Sequence, residues 1–381
     1  MTARILASSG VPVRQSSVRA HNLALVLNQV ATSPEPISRA AAASATGLTR
    51  ATVSALVDDL IAGGLLTELE PQPRSGAGRP AAGLAVSPDG PAGLGLEINV
   101  DYLAACVMDL SGTVRHRLVE HADQRLSDAR TALGALVALA RRAVTLADDL
   151  PLAGVALAVP GLVAADGIVR VAPNLGWQDV DAAALLRDQL GLPVTVDNEA
   201  NLAALSELRT AGSSRTFVYV SGEIGIGAGI VLDGELYRGV HGWSGEIGHM
   251  PVYPDGPVCR CGARGCLEQY AGIPALELLD PAPGPALDRA GAALGIALAG
   301  VINLLDVDTI VLGGSYAPLL PRLRGGIEAE LGRRVLTAEL APITLRAAAL
   351  GADAAMCGAA GSVVRAVRDD PAAYLGRAGR I

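Results

Sequence analysis

The sequence predicts an α/β chain in two unlike parts: a small helical module ending in a β-ribbon, then a larger domain of two α/β lobes. Two patterns predict this. Up to about residue 82 the chain reads as short helices punctuated by capping residues and followed by two strand-like pieces. From about Gly93 strand-like pieces alternate with helices, and the alternation begins again near Ser213. A length of 381 residues exceeds what one hydrophobic core usually organises, which agrees with a division into domains.

Half of the residues are hydrophobic but only 3% are aromatic, so the core must be built from Ala, Val and Leu. The N-terminal MTARILASSGVPVRQ lacks the apolar stretch of a signal peptide, and no apolar run nears twenty residues, so a cytoplasmic protein without membrane insertion is expected. A net charge of −8 excludes a generally basic nucleic-acid binder. Residues 1–80 nevertheless carry seven Arg against five acids, net +2, which leaves −10 for the remainder. The chain has no lysine, so every fixed cation is a guanidinium, able to fork onto phosphate or guanine.

Taken in order, VRAHNLALVLNQV from Val18 sets Leu23, Val26, Leu27 and Val30 on one helical face. Ser38 can cap a second helix ending near Gly47, and Thr49 a third that runs to about Ala62, where Gly63 and Gly64 stop it. Two short helices around a tight Gly-containing turn make a helix-turn-helix pattern, whose second helix would offer Thr49, Arg50, Thr52 and Ser54 to bases and phosphates. Strand-like pieces near Leu65–Glu70 and Gly83–Val86 then flank a Gly/Pro/Arg turn, a wing with Arg74 and Arg79 at its tip, suited to a narrow minor groove. A protein-interaction module is the alternative. A single such module reads few base pairs, so a dimer on a two-part operator is the economical expectation.

In the larger part, LGLEINVDYLAACVMDLSGTVRHRLVEH reads as three strands, TALGALVALARRAVTLADDL as a helix and GVALAVP as a buried strand. SSRTFVYVSGEIGIGAGIVLDGELYRG restarts the pattern, implying two lobes with a ligand cleft between them. ALDRAGAALGIALAGVINLLDVDTIVLGG gives a long Ala-rich helix and a buried strand, and MCGAAGSVVRAVRDDP a last helix.

Five runs in this part carry a family resemblance: Ala158-Val159-Pro160-Gly161, Asp197-Asn198-Glu199-Ala200-Asn201, Gly245-Glu246-Ile247-Gly248-His249, Cys259-x-Cys261-Gly262-x-x-Gly265-Cys266-x-Glu268, and Val311-Leu312-Gly313-Gly314. Together they resemble the ROK family (repressor, open reading frame, kinase), over about residues 93–370. The resemblance implies an actin-like, hexokinase-like two-lobed fold and a choice between sugar kinase and sugar-responsive regulator; the winged module matches the regulator branch. The implied division is 1–82 for the winged module, 83–92 for a linker and 93–381 for the sensing domain. Within it the first lobe is about 93–200 plus the C-terminal helix from about 355, and the second about 201–354.

His249, Cys259, Cys261 and Cys266 supply one imidazole and three thiolates, a closed tetrahedral set that suits a structural Zn²⁺; a redox pair or free thiols are the alternatives. Cys106 and Cys357 lie in apolar surroundings and read as plain core residues. Folding the loop around a metal would fix Glu246 and Glu268 near one another. The resemblance implies that Glu246, His249 and Glu268 line a sugar pocket with Asn198 and the Gly161 backbone, and that Asn174 reaches in as well. It also sets Glu199 where the kinases carry a catalytic Asp, displacing the carboxylate by one methylene. The run Glu97-Ile98-Asn99-Val100-Asp101 lacks the kinases' phosphate-binding glycines, and Asp101 would repel a nucleotide. Gly225-Ile226-Gly227-Ala228-Gly229 keeps glycine spacing as turn geometry, but Ile224 replaces the kinases' Thr. The expectation is a regulator without enzymatic activity that binds operator DNA and a neutral sugar or sugar derivative. The alternatives are a sugar kinase with a DNA-binding extension and a zinc-dependent scaffold.

Overall fold

The structure is a computed structural model and describes residues 15–70, 82–125, 127–148, 150–210, 214–223, 225–272, 284–377 and 379. It divides into two units. One holds the chain as far as Pro91, Asp109–Thr113 and the residues from Val364 on; the other holds Ala92–Met108 and Val114–Val363.

In the first unit α1 (Gln15–Thr32) buries Leu23, Val26, Leu27 and Val30, the face its spacing predicts. Ser38 caps α2 (Arg39–Thr46) by accepting from the Ala41 N–H, and Gly47 ends it in the left-handed region at φ 72°. Thr49 caps α3 (Arg50–Ala62) by accepting from the Thr52 N–H at 3.2 Å. Val53, Leu56, Val57 and Leu60 turn inward from α3. Strands β1 (Leu66–Leu69) and β2 (Gly83–Val86) pair antiparallel, and Ile37 bridges Leu84 on the other side of β2. Gly83–Val86 is the strand its sequence predicts, so a linker can begin only after it and not at residue 83, because the ladder to Leu66–Leu69 occupies its backbone groups. Arg74 and Arg79 lie outside the described residues.

The second unit contains two five-stranded sheets of identical topology. In the first, β3 (Ala92–Ile98), β4 (Tyr102–Met108) and β5 (Val114–His121) form an antiparallel meander, and β6 (Leu152–Val159) and β10 (Val194–Asn198) add parallel on the β3 side. The second repeats this with β11 (Phe217–Gly222), β12 (Ile226–Leu232) and β13 (Glu235–Tyr237), then β14 (Thr309–Gly314) and β15 (Thr344–Ala347). A small sheet of β7 (Leu162–Val163), β8 (Val169–Ala172) and β9 (Trp177–Val180) follows β6. Helices α4 (Ala129–Leu146) and α5 (Ala182–Leu190) cover the first sheet. Past α6 (Glu199–Glu207) and the short α7 (Glu268–Ala271), helices α8 (Gly284–Leu305) and α9 (Tyr316–Arg334) cover the second.

Between the sheets lie α6 and the first turns of α10 (Ala354–Asp369), in a cluster built on small residues: Ala156, Ala158, Ala203, Ala204, Ala355 and Ala359. They cross in backbone contact, since a β-carbon at Gly358 would fall 1.8 Å from the Leu202 carbonyl oxygen. α8 is long and apolar enough to cross a membrane, but its Gly291 and Gly295 pack against the α9 backbone. The last residues depart from the expected division. From Val364 on they group with the N-terminal unit: Arg368 bonds Asn28 through both backbone and side chain, and Leu375 of α11 (Pro371–Arg377) packs against Gly63.

Thr49→Ala removes an N-cap and leaves the α3 core untouched. It is expected to lower stability by about 1 kcal/mol in chemical unfolding, with Thr49→Asp restoring most of the loss.

Candidate functional site: a carboxylate-lined cleft beside a histidine and three cysteines

A cavity of about 410 Å³ opens between the two lobes of the second unit. Asn198, Glu199, Glu246, His249, Glu268 and Gly161 all line it, as do Asn174, Glu223 and Gly225. Each arrives through a local backbone device. Asn198 ends β10 and caps α6, its Oδ1 accepting from the Ala200 and Asn201 N–H groups while its Nδ2 donates to the Gly161 carbonyl at 3.0 Å. Gly161 has no room for a side chain, because a β-carbon would lie 2.5 Å from the Val171 carbonyl oxygen. Gly245 sits at φ 99°, and a β-carbon there would lie 1.8 Å from the Ala228 carbonyl oxygen, so the turn that presents Glu246 is open to glycine alone.

The loop after this turn gathers His249, Cys259, Cys261 and Cys266, with their ligand atoms all within 4.8 Å of one another. Cys261 and Cys266 sulfurs stand 3.7 Å apart, too far for a disulfide and close to the edge of a tetrahedron with metal–sulfur bonds of about 2.3 Å. Cys259 Sγ lies 3.8 Å from His249 Nδ1. These four side chains fit a metal ion, and ligation through Nδ1 would leave Nε2 of His249 for the cavity.

The inner wall is acidic. Glu97 is 3% exposed and accepts from the Tyr102 hydroxyl at 2.6 Å and from the Met356 N–H. With Glu199, Glu223, Tyr102 and Ser221 it surrounds a second, water-sized space of about 20 Å³. Glu199 Oε2 is buried there with no hydrogen-bond partner. Burial, then the neighbouring Glu97, Glu223 and Glu246 carboxylates, pushes Glu199 up to about 8. Burial likewise lifts Glu97 to about 7 against the opposing Tyr102 hydrogen bond, and Glu223 to about 7 against the Ser315 N–H.

Asp101 lies at the solvent side of this acidic group. Its side chain is 57% exposed and paired with Arg125 at 2.6 Å, outside the buried wall of Glu97, Glu199 and Glu223, yet its charge still raises Glu223. Gly227 and Gly229 lie inside strand β12 and serve close packing: a β-carbon on Gly229 would meet Ala204 at 2.5 Å and the Ala200 carbonyl at 2.6 Å. Ile224 falls outside the described residues. Glu223, Tyr102 and the Asp197–Arg238 ion pair, at 2.5 Å between the end of β10 and the residue after β13, were not singled out from the sequence. Their partners are distant in the chain or lie across a tight hairpin, so no motif spacing announced them.

On the DNA-facing candidate, Thr49 spends its hydroxyl on the cap and on Thr52 Oγ1 at 2.9 Å, while Arg50 is exposed at the start of α3. Thr52 and Ser54 are half-buried.

Residues 93–280 match the model of the ROK family and residues 24–77 that of the MarR family. The xylose repressor of Bacillus spizizenii is 31% identical over 349 residues, covering 84% of this chain and 89% of that protein. A crystal structure described as a ROK family transcriptional regulator, homolog of E. coli Mlc, superposes with a TM-score of 0.79 at 26% identity, over 93% of this chain and 97% of the other. The ROK glucokinase of Streptomyces griseus, solved with glucose and AMPPNP, gives 0.62 at 25% identity over 71% and 98%.

Because Glu97, Glu199 and Glu223 bind protons more tightly folded than unfolded, they contribute most below pH 4.5, and that contribution is lost as pH rises through about 7 to 8. Melting temperature is therefore expected to fall across this window, and Glu199→Gln to flatten the fall. An unchanged slope in the variant would show that Glu199 is ionised in the folded protein.

Proposed function

Because the chain belongs to the ROK family, we propose that it is a sugar-responsive transcriptional repressor whose second unit senses a neutral sugar and whose first unit binds operator DNA as part of a dimer. The observation that carries this reading is the acidic wall. A site for transferring phosphate concentrates backbone N–H groups and cations on the phosphates. Here Glu97 and Glu223 stand beside Glu199 around the smaller space, and no arginine lines either cavity among the described residues. Asn198, Glu246, His249 and Glu268 line the larger cavity, which supports hydroxyl recognition as the role of the site. The relatives' name makes xylose the first ligand to test.

In this reading Glu246, Glu268 and Asn198 accept from and donate to the sugar hydroxyls, and His249 Nε2 adds one contact. The four-residue cluster holds a structural Zn²⁺, which supplies no chemistry beyond neutralising three thiolates and fixing the loop. Glu199 opens α6, α6 crosses α10 at Gly358, and α10 contributes residues to both units, which gives ligand occupancy a route to operator affinity. The coupling is reciprocal: whatever factor the sugar imposes on DNA binding, DNA imposes on sugar binding.

Glu199 also favours a second reading. A buried carboxyl raised to about 8, with one oxygen lacking a hydrogen-bond partner, in a residue that lines the larger cavity has the character of a general base. A kinase would release ADP in a sugar-dependent manner and lose this on Glu199→Gln, and such turnover would overturn the repressor-only assignment.

Xylose is expected to raise the melting temperature, Mg·ATP to leave it unchanged, and xylose to shift operator affinity by about 5-fold or more in a mobility assay. Arg50→Ala should weaken operator binding and reduce the salt slope by about 1, the signature of one lost phosphate contact. Removal of metal by a strong chelator, or Cys266→Ser, should lower zinc content toward zero, reduce the melting temperature and abolish sugar binding. Sugar binding that survives complete zinc loss would refute the structural role.

A further inference from the structure

An ion pair joins edge strands of the two five-stranded sheets. Asp197 stands near the end of β10, at one edge of the first sheet, and Arg238 directly follows β13, at one edge of the second. Arg238 Nη2 lies 2.5 Å from Asp197 Oδ2. The other oxygen, Oδ1, accepts from the Asn198 N–H at 2.8 Å and from Asn201 Nδ2 at 3.0 Å. The carboxylate is therefore shared between a cation of the second lobe and the backbone of Asn198, which lines the cavity. The Asp197 side chain is 16% exposed, so loss of Arg238 would leave a largely desolvated charge with one oxygen uncompensated.

Arg238 also begins a strap that meets the first lobe a second time. Ser244 closes the base of this strap, its N–H donating to the Arg238 carbonyl at 3.2 Å and its hydroxyl to the Tyr237 carbonyl at 2.5 Å. Between them Gly242 rests on the end of β7. At φ 92°, a β-carbon there would lie 2.9 Å from the Val163 carbonyl oxygen and 3.3 Å from the Ala165 nitrogen. Gly239, Val240, His241 and Trp243 are exposed, so the strap has little buried surface to hold it beyond these contacts. Both anchors on the first lobe adjoin the cavity wall, since Asp197 precedes Asn198 and Val163 follows Leu162. The strap then runs directly into Gly245 and Glu246, which ties its position to that of a cavity carboxylate.

We propose that residues 238–244 form a clasp beside the cleft, closed by the Asp197–Arg238 pair, and that Arg238 is a positioning residue acting through Asp197 on Asn198. Its effect on ligand binding rests on the proposed sugar site. A closed clasp holds Asn198 of one lobe and Glu246 of the other at a fixed separation, the preorganisation that contact with neighbouring hydroxyls of one sugar requires. Opening it releases both residues, so the pair governs chiefly how long the ligand stays. The ligand is neutral, yet its affinity is expected to depend on salt, because the charges being screened are the protein's own. The Arg238 side chain is 48% exposed, and the screening length falls from about 10 Å at about 0.1 M salt to about 3 Å at about 1 M.

The test measures xylose binding to the zinc-loaded full chain by calorimetry at both salt concentrations, and hydrogen exchange of residues 196–201 and 238–246 without ligand. Arg238→Met keeps the apolar stem and removes the charge; Arg238→Lys returns it. Xylose should bind Arg238→Met about 5-fold more weakly, and Arg238→Lys should recover most of the loss. High salt should weaken binding to the natural chain and leave Arg238→Met unchanged, while both segments exchange faster in Arg238→Met. Gly242→Ala sets a β-carbon against Val163 without altering a charge, so it should weaken binding and keep the salt dependence. Salt-independent xylose binding, with affinity and exchange unchanged in Arg238→Met, would overturn the clasp and leave the sugar reading intact. A loss that Arg238→Lys does not recover, with salt dependence kept in Arg238→Met, would overturn the positioning role. Faster exchange in Arg238→Met of a protein that binds no xylose would support the clasp and overturn the xylose reading.

Discussion

The sensing unit depends on a backbone-to-backbone crossing at its centre. Glycine at 358 lets α10 rest on the Leu202 carbonyl of α6, and the alanines around it let both helices lie between two sheets without forcing them apart. Larger side chains there would separate the sheets. The consequence reaches the site, because α6 begins at Glu199 and its cap is Asn198, so the crossing fixes where two cleft residues start. Gly229, packed on α6 from the other sheet, completes the same arrangement.

The acidic wall follows a different logic. Three carboxylates around a water-sized space would repel one another if all were ionised, and the low-dielectric surroundings make that repulsion costly. Burial first, and then neighbouring carboxylates, raises all three toward the protonated form, and Glu97 also accepts from a hydroxyl and an N–H. Near neutral pH the titration belongs to the group of carboxyls and not to one member. Such a wall is tolerable in a sensor, where nothing charged has to be stabilised in passing, and would be poorly matched to a migrating phosphoryl group.

What could be read in the sequence was whatever the chain does locally. Ser38, Gly47 and Thr49 act on groups two to four residues away, so helix ends were legible, as was the His249 to Cys266 cluster, whose ligands share one loop. The cleft residues were legible through family motifs, each of which is a turn or a cap. What escaped was set by partners far along the chain. The pairing of Asp101 with Arg125, 24 positions on, was invisible in the sequence, as was the Asp197–Arg238 ion pair.

Charge also narrows what the cleft can accept. Glu199, Glu223, Glu246 and Glu268 line one cavity, with His249 as the lone basic side chain among the described lining residues, inside a chain of net charge −8. A phosphorylated sugar would bring its dianion into this field with no guanidinium to meet it, and the desolvated repulsion would exceed what a few added hydrogen bonds return. A neutral sugar meets the opposite situation. Its hydroxyls are donors, and carboxylates that are ionised accept from them strongly, while protonated ones can donate to ring and hydroxyl oxygens. On the proposed reading the same groups that would exclude phosphate would recognise hydroxyls, so selectivity for an unphosphorylated ligand would need no further residue.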